Sequence, residues 1–366
     1  MSIGGLWPLQ TEPTLFYFWI TCCTLQTCLM LVDLVEGLSD LNCVINNFCA
    51  LAPMITIMAK MLAVKYSPKL RKLMRQVEMS ENEIDYKNEE ERKIYMSYNC
   101  LGVKLFKIVL WITFAAVIFY YLKNFKINAT NEELAESIKT LLPYPICTFD
   151  IIKNIRDYYF VYICESTMIY ISTCQSIISC FVWSLIIDVC GQLSVLSFRI
   201  RNMQKNSSVN CLESVLCDIV KRHEKLIWNS RVIDGAFNLS LLVELVGCTI
   251  IIGLGMFSMI VNSSVSDATE FLSFLLYIMM MLAVIYGYCL AGELLAQESL
   301  NVRDSWYECD WYNMSPRCKK MLIICMIRSR VPLRLTGGGF YIYNIERLTG
   351  VLKTAMAYGS MLRTVA

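Results

Sequence analysis

Residues 337–366 read GGGFYIYNIERLTGVLKTAMAYGSMLRTVA, a segment of membrane-crossing length that is too polar to face lipid. Glu346, Arg347, Lys353 and Arg363 are spread among its Leu, Val, Met and Tyr residues. A charge near the centre of a bilayer costs at least about 2.5–3.5 kcal/mol, so charged residues at that depth face a bundle interior or water. The segment therefore predicts a helix that lines something wet, behind more apolar helices that meet the lipid.

The rest of the chain supplies those helices. Of 366 residues, 56% are hydrophobic and 17% charged, with mean hydropathy +0.48, too apolar for a chain whose whole surface meets water. A crossing helix needs about 20 predominantly apolar residues. Such windows lie at 15–35, 43–64, 100–122, 158–187, 236–261 and 271–295, and the tail helix at 340–365 makes seven. The expected fold class is an all-α polytopic membrane protein. Residues 1–300 hold its first six spans, and 301–366 hold an anchor helix and the last span. No basic stretch precedes the first window, which reads as a signal anchor and not as a cleaved leader.

Lys and Arg set the expected orientation. The connections 65–93, 188–235 and 293–336 hold eight, seven and seven of them, whereas 36–42, 123–157 and 262–270 hold none, five and none. Positive loops stay cytoplasmic, which places the N-terminus inside and the C-terminus outside. That is the reverse of a G-protein-coupled receptor, and neither Asp-Arg-Tyr after the third span nor Asn-Pro-x-x-Tyr in the seventh is present.

Other features exclude more than they specify. A net charge of +2 gives no electrostatic case for nucleic acid, and the single His223 excludes a His-rich metal site. No Gly-x-Ser-x-Gly, His-Glu-x-x-His or phosphate loop occurs, so no catalytic residue, metal or cofactor is expected. The 18 cysteines form no C-x-x-C pair. Most, such as Cys22, Cys23, Cys28, Cys174, Cys180 and Cys248, sit in apolar runs and read as buried thiols, leaving Cys43 and Cys147 as the pair that an oxidising exterior would join. Sequons at Asn128 and Asn262 fall in expected outer loops, those at Asn206 and Asn313 in inner ones. The mixed-charge stretch 67–93 predicts a solvated extension of spans two and three. KKMLIICMIRSRVPLRL at 319–335 predicts an amphipathic helix that either lies on the membrane or packs between subunits, and Gly337–Gly339 let the chain turn after it.

Both ends of the chain resemble the insect odorant receptor family. Gly5-Leu6-Trp7-Pro8 is similar to that family's Gly-x-Trp-Pro element before the first span, and Asp188-Val-Cys-Gly-Gln192 to its polar punctuation at the cytoplasmic exit of the fourth. Arg328-Ser-Arg-Val-Pro332-Leu-Arg-Leu-Thr336-Gly-Gly-Gly-Phe340 matches its loop into the last helix, and Val351-Leu352 with Tyr358 match the helix itself. The related gustatory receptors end in Thr-Tyr-x-x-x-x-x-Gln-Phe, which the run from Ala357 to Val365 fits poorly. The resemblance implies a ligand-gated, non-selective cation channel, a tetramer whose seventh helices line one pore. It also implies assembly with an obligate coreceptor in the plasma membrane of an olfactory neuron's dendrite. Because 188–235 has no room for the coreceptor's long insertion, a ligand-tuning subunit is the expected member.

The same resemblance carries over to residues. The gate falls three and seven residues after the tail tyrosine, at Met361 and Val365, one turn apart, where apolar rings can close a pore by dewetting. The competing reading is ordinary packing. Tyr358 and Thr364 belong to the same pore segment. Glu346 either faces the pore vestibule with Arg347 or begins a helix in solvent. A small volatile apolar ligand is expected in the outer half, among spans two, three, four and six. That region selects Ala50, Met54, Phe114, Ile118, Tyr121, Met168, Ile169, Tyr277, Met280 and Met281, whose adaptable methionines and aromatic rings suit such a molecule and equally suit plain packing. Glu165 in span four is either a polar anchor for the ligand, a structural hydrogen-bond partner or a protonated acid, and Glu244 in span five has the same ambiguity. A secondary transporter of a small apolar molecule is the alternative function. It lacks the support of an internal repeat, and Pro53 is the one proline inside an expected span.

Overall fold

The apolar windows fold as helices because a backbone in lipid must satisfy its own N–H and C=O groups. In a computed structural model the described residues are 7, 14–38, 41–81, 86, 88–122, 167–203, 212–261 and 268–365. They form α1 (Thr14–Glu36), α2 (Leu41–Tyr66), α3 (Pro68–Glu81), α4 (Glu89–Leu122), α5 (Thr167–Arg201), α6 (Leu212–Val261) and α7 (Ala268–Glu308). A 3-10 turn (Trp311–Asn313), α8 (Pro316–Ser329), a hairpin of β1 (Thr336–Gly337) and β2 (Tyr341–Ile342), and α9 (Ile345–Val365) follow.

Five of these helices, α1, α4, α5, α6 and α7, are long enough and carry an apolar window sufficient to cross a membrane. The other two expected spans fall on α2, which carries Lys60 and Lys65, and on α9, with its four charges. Burial separates centre from perimeter. The apolar window of α5 is 72% buried, against 17% for α1 and 11% for α4. α5 packs chiefly on α7 and α4, while Phe18, Leu25, Leu29 and Val32 of α1 and Val103, Phe106 and Trp111 of α4 point outward. An outward apolar face costs little where the surroundings are lipid.

The helices outrun the apolar windows at 100, 187, 236 and 295. α4 already begins at Glu89, α5 runs on to Arg201, α6 starts at Leu212, and α7 ends at Glu308. Polar side chains hold these extensions together. Arg199 grips buried Glu91 with Nε and Nη2 at 3.0 and 2.7 Å, a two-point charge-assisted contact. Asp188 accepts from the Tyr95 hydroxyl at 2.5 Å and from Gln192 at 2.8 Å, and Glu298 accepts from Tyr98 at 2.6 Å. Burial, with the neighbouring carboxylates, pushes the Tyr95 and Tyr98 phenols well above their usual range. The Asp188–Gln192 motif therefore clasps α5 to α4.

The amphipathic expectation lands on α8. Ser315 caps it, accepting from the Cys318 N–H at 3.3 Å, and Pro316 opens it. Cys318, Leu322 and Cys325 are buried on one side, while Ile323, Ile324 and Ile327 stay exposed on the other. Cys43 is disulfide-bonded. Cys147, Asn128, Asn206, Asn262 and the Gly5, Leu6 and Pro8 of the N-terminal motif lie outside the described residues. Trp7 sets its ring 6.4 Å from that of Phe181.

Candidate functional site

The last helix begins at Ile345, later than the 340 expected for the last span, because the glycine run turns the chain into a hairpin first. Thr336 pairs with Ile342 and Gly337 with Tyr341. Gly338 and Gly339 take φ of 61° and 79°, the left-handed region that side chains rarely tolerate. The hairpin is fastened to α6. Asp234 Oδ1 accepts from the Thr336 N–H at 2.7 Å and its hydroxyl at 2.9 Å, the Gly338 N–H donates to the Asn238 carbonyl at 2.9 Å, and the Tyr343 hydroxyl donates to the Leu241 carbonyl at 2.8 Å. Asn344 then caps α9, its Oδ1 accepting from the Arg347 N–H at 2.9 Å.

Above this root lies a buried ionic cluster that joins α2, α5, α6 and α7. Lys60 Nζ sits 2.7 Å from Glu244 Oε2, with side chains 0% and 3% exposed. Lys60 also donates to Ser179 Oγ at 3.1 Å and to the Tyr288 hydroxyl at 3.0 Å, and Gln175 donates to Glu244 Oε1 at 2.6 Å. An ammonium at this depth persists only because its donors are taken up and its charge is answered. Edge-to-face rings lead onward: Trp183 to Tyr288 at 5.6 Å, Tyr288 to Tyr343 at 5.8 Å, and Tyr343 to Tyr341 at 5.2 Å. The cluster is thus in packed contact with the base of α9. Gln175 Oε1 and Trp183 Nε1, both buried on α5, have no hydrogen-bond partner among the described residues.

α9 leans on the bundle along one face. Leu348 and Ala355 are buried, and Val351 and Leu352 half-buried, with Ala355 set against Ile252 of α6 and Ile278 of α7. At the same spacing on the far side, Glu346, Gly350, Lys353, Ala357 and Ser360 are exposed. Met361 is 64% exposed. Glu346 has no ion-pair partner among the described residues, and the Arg347 guanidinium lies 5.8 Å over the Tyr341 ring. Tyr358, Thr364 and Val365 are on the same helix.

The candidate ligand residues spread over two environments. Met54, Met280 and Met281 are buried, Met281 receiving the Cys248 thiol at 3.7 Å, while Ala50, Ile169 and Tyr277 are half-buried. Phe114 and Ile118 are exposed at 57% and 37%. Tyr121 and Met168 lie on α4 and α5, and Glu165 lies outside the described residues. Glu244, flagged from sequence as an intramembrane acid, is the anion of the buried pair. Lys60, Gln175 and Tyr288 were missed, although a lysine inside an apolar window is itself a signal.

Comparison with known proteins bears on this geometry. A family model described as 7tm Odorant receptor matches residues 40–356. Odorant receptor 13a of Drosophila melanogaster is 25% identical over 194 residues, 48% of this chain and 46% of that one. Odorant receptor 82a of the same fly is 23% identical over 56% of this chain and 52% of its own. The chain thus spans about half the length of these curated relatives. The Odorant receptor coreceptor of Ooceraea biroi is 23% identical over 39% of the chain and 30% of its own. In fold, the olfactory receptor OR5 of Machilis hrabei in complex with eugenol superposes with a TM-score of 0.85 over 100% of this chain and 95% of that one, at 16% identity.

Proposed function

Because the chain belongs to the 7tm odorant receptor family, we propose that it is the ligand-binding subunit of a heteromeric, odorant-gated, non-selective cation channel. It is a multi-pass membrane protein, read here with seven spans, the N-terminus cytoplasmic and the C-terminus extracellular. α2 and α9 then complete the five helices of clear membrane character. The plasma membrane of an olfactory neuron's dendrite is the proposed location, and a coreceptor subunit the proposed partner.

One observation carries the reading. α9 packs by a single apolar face and holds Glu346, Lys353 and Ser360 away from its own bundle. In lipid such a face is costly, and against water or a neighbouring subunit it is not. Copies of α9 around a central axis would line a wet path for cations, with Met361 and Val365 as its apolar constriction, Tyr358 and Thr364 beside it, and Glu346 at the vestibule. The ligand, a small volatile apolar molecule, is assigned to the methionine-rich region around Met54, Met280 and Met281. Ala50, Phe114, Ile118, Tyr121, Glu165, Met168, Ile169 and Tyr277 are its further candidate neighbours.

The test is whole-cell current from cells expressing the chain with and without a coreceptor, challenged with a panel of volatile compounds. Odour-evoked cation current that requires both chains is the expected result. Saturable uptake by this chain alone, without current, would establish the transporter alternative instead.

A further inference from the structure

At the basic end of the bundle, α6, α7, the last turn of α8 and the segment after it border a cavity of about 190 Å³. Its rim carries exposed Arg231, Arg328 and Arg334, and its floor carries buried His223, Ser230 and Ser299. Among the described residues none of the three arginines is in an ion pair. The lining has one carboxylate, Asp234, and both its oxygens are engaged by Thr336, at 2.7, 2.9 and 3.1 Å. Three arginines thus line a hollow whose one carboxylate has its acceptor sites taken by Thr336, so the lining keeps an excess of two positive charges, an arrangement that favours an anion from outside.

Position narrows the source. Arg231 and Asp234 stand just before the apolar window that opens at 236, which on the span assignment above puts their side of the cavity at headgroup depth. Exposed Ile324, Ile327 and Val331 flank Arg328 and offer apolar surface beside the charge. A water's share of liquid volume is about 30 Å³, so the space holds a phosphate group with room for hydration. We propose that this cavity binds a phosphate monoester, presented as the headgroup of an anionic lipid in the leaflet on the basic side. The inference rests on the span assignment above and is independent of channel activity. Burial, and then Arg328, hold His223 down at about 4, leaving a neutral imidazole that can donate one hydrogen bond into the site.

The test uses the full-length chain purified in neutral detergent and read by native mass spectrometry. Dioctanoyl phosphatidic acid is the lipid probe, dioctanoyl phosphatidylcholine its zwitterionic control, and glycerol 3-phosphate and inorganic phosphate the soluble probes. Phosphatidic acid is expected to bind in preference to both the control and the soluble probes. The Arg328→Gln/Arg334→Gln double variant is expected to weaken it at least about tenfold. Arg317→Gln, which removes a guanidinium paired with Glu213 at 3.1 Å outside the cavity, should leave binding unchanged. Thermal midpoints confirm that the variants fold, as exposed side chains allow. Equal retention of both lipids, or full-strength binding by the double variant, would overturn the site. Glycerol 3-phosphate binding as tightly as the lipid would overturn the lipid occupant. Lipid binding without odour-evoked current would sink the channel reading and leave this site standing.

Discussion

At the scale of single residues, Lys60 decides the most. Its ammonium is fully buried and is answered by Glu244, Ser179 and Tyr288. Lys60→Met leaves the Glu244 carboxylate unpaired, and the expected loss is about 3–5 kcal/mol, seen as a fall in the thermal midpoint and in surface expression. Adding Glu244→Met should recover most of it, because an apolar pair of similar volume carries no desolvation penalty. If the double variant is no better than Lys60→Met, the two residues do not act as a pair. His223, on the part of α6 that precedes the apolar window at 236, gives a pH-dependent counterpart. Burial, with Arg328 adding to it, depresses its folded pKa from 6.5 to about 4. The unfolded chain therefore takes up a proton that the folded one refuses as pH falls from 6.5 towards 4. Stability should drop across that window by up to about 3 kcal/mol. His223→Gln should flatten this part of the profile in a melting series run in phosphate-free detergent solution.

At the scale of elements, the hairpin before α9 is the most demanding piece. Gly338 combines φ of 61° with a tight site, where an added Cβ would meet Leu242 Cδ2 at 2.6 Å and Phe340 Cε1 at 2.9 Å. Gly339 has φ of 79° with nothing within 4 Å. Both alanine variants should be strained, by about 1–2 kcal/mol for the left-handed backbone, and Gly338→Ala should lose about 1–3 kcal/mol more to the clash. Comparing their folded yields by size-exclusion chromatography separates the two terms; equal losses would show that Leu242 does not confine the site. The sequence reveals this region unevenly. Glycines at 337–339 announce a turn, but strands of two residues are too short for any alternating pattern, and the partners that hold them are on α6, 102 residues away for Asp234 and Thr336. Helix ends were hidden for a related reason: apolar windows stop where lipid contact stops, whereas α4 to α7 continue on pairs such as Arg199–Glu91, 108 residues apart. The charges of α9 were legible because they break a pattern within one segment. Lys60 meets Tyr288 across 228 residues, and no local pattern encodes that meeting.

At the scale of the whole molecule, the proposed channel makes α9 the shared wall between subunits, and its exposed face should respond to substitution without loss of the fold. Met361→Ala with Val365→Ala should widen an apolar constriction and raise current without odour by about several-fold in cells that also express a coreceptor. An unchanged resting current would remove these two residues from the gate. The fastening of the hairpin then restricts how such a wall can move. With Thr336, Gly338 and Tyr343 tied to α6, the base of α9 is a hinge pin, and its far end is the free end of a lever. At 1.5 Å rise per residue, Met361 lies about 24 Å along the axis from Ile345, so a tilt of only about 10° carries it sideways by about 4 Å. A small repacking near the pivot would thus be magnified at the tip, as a short handle swings a long door.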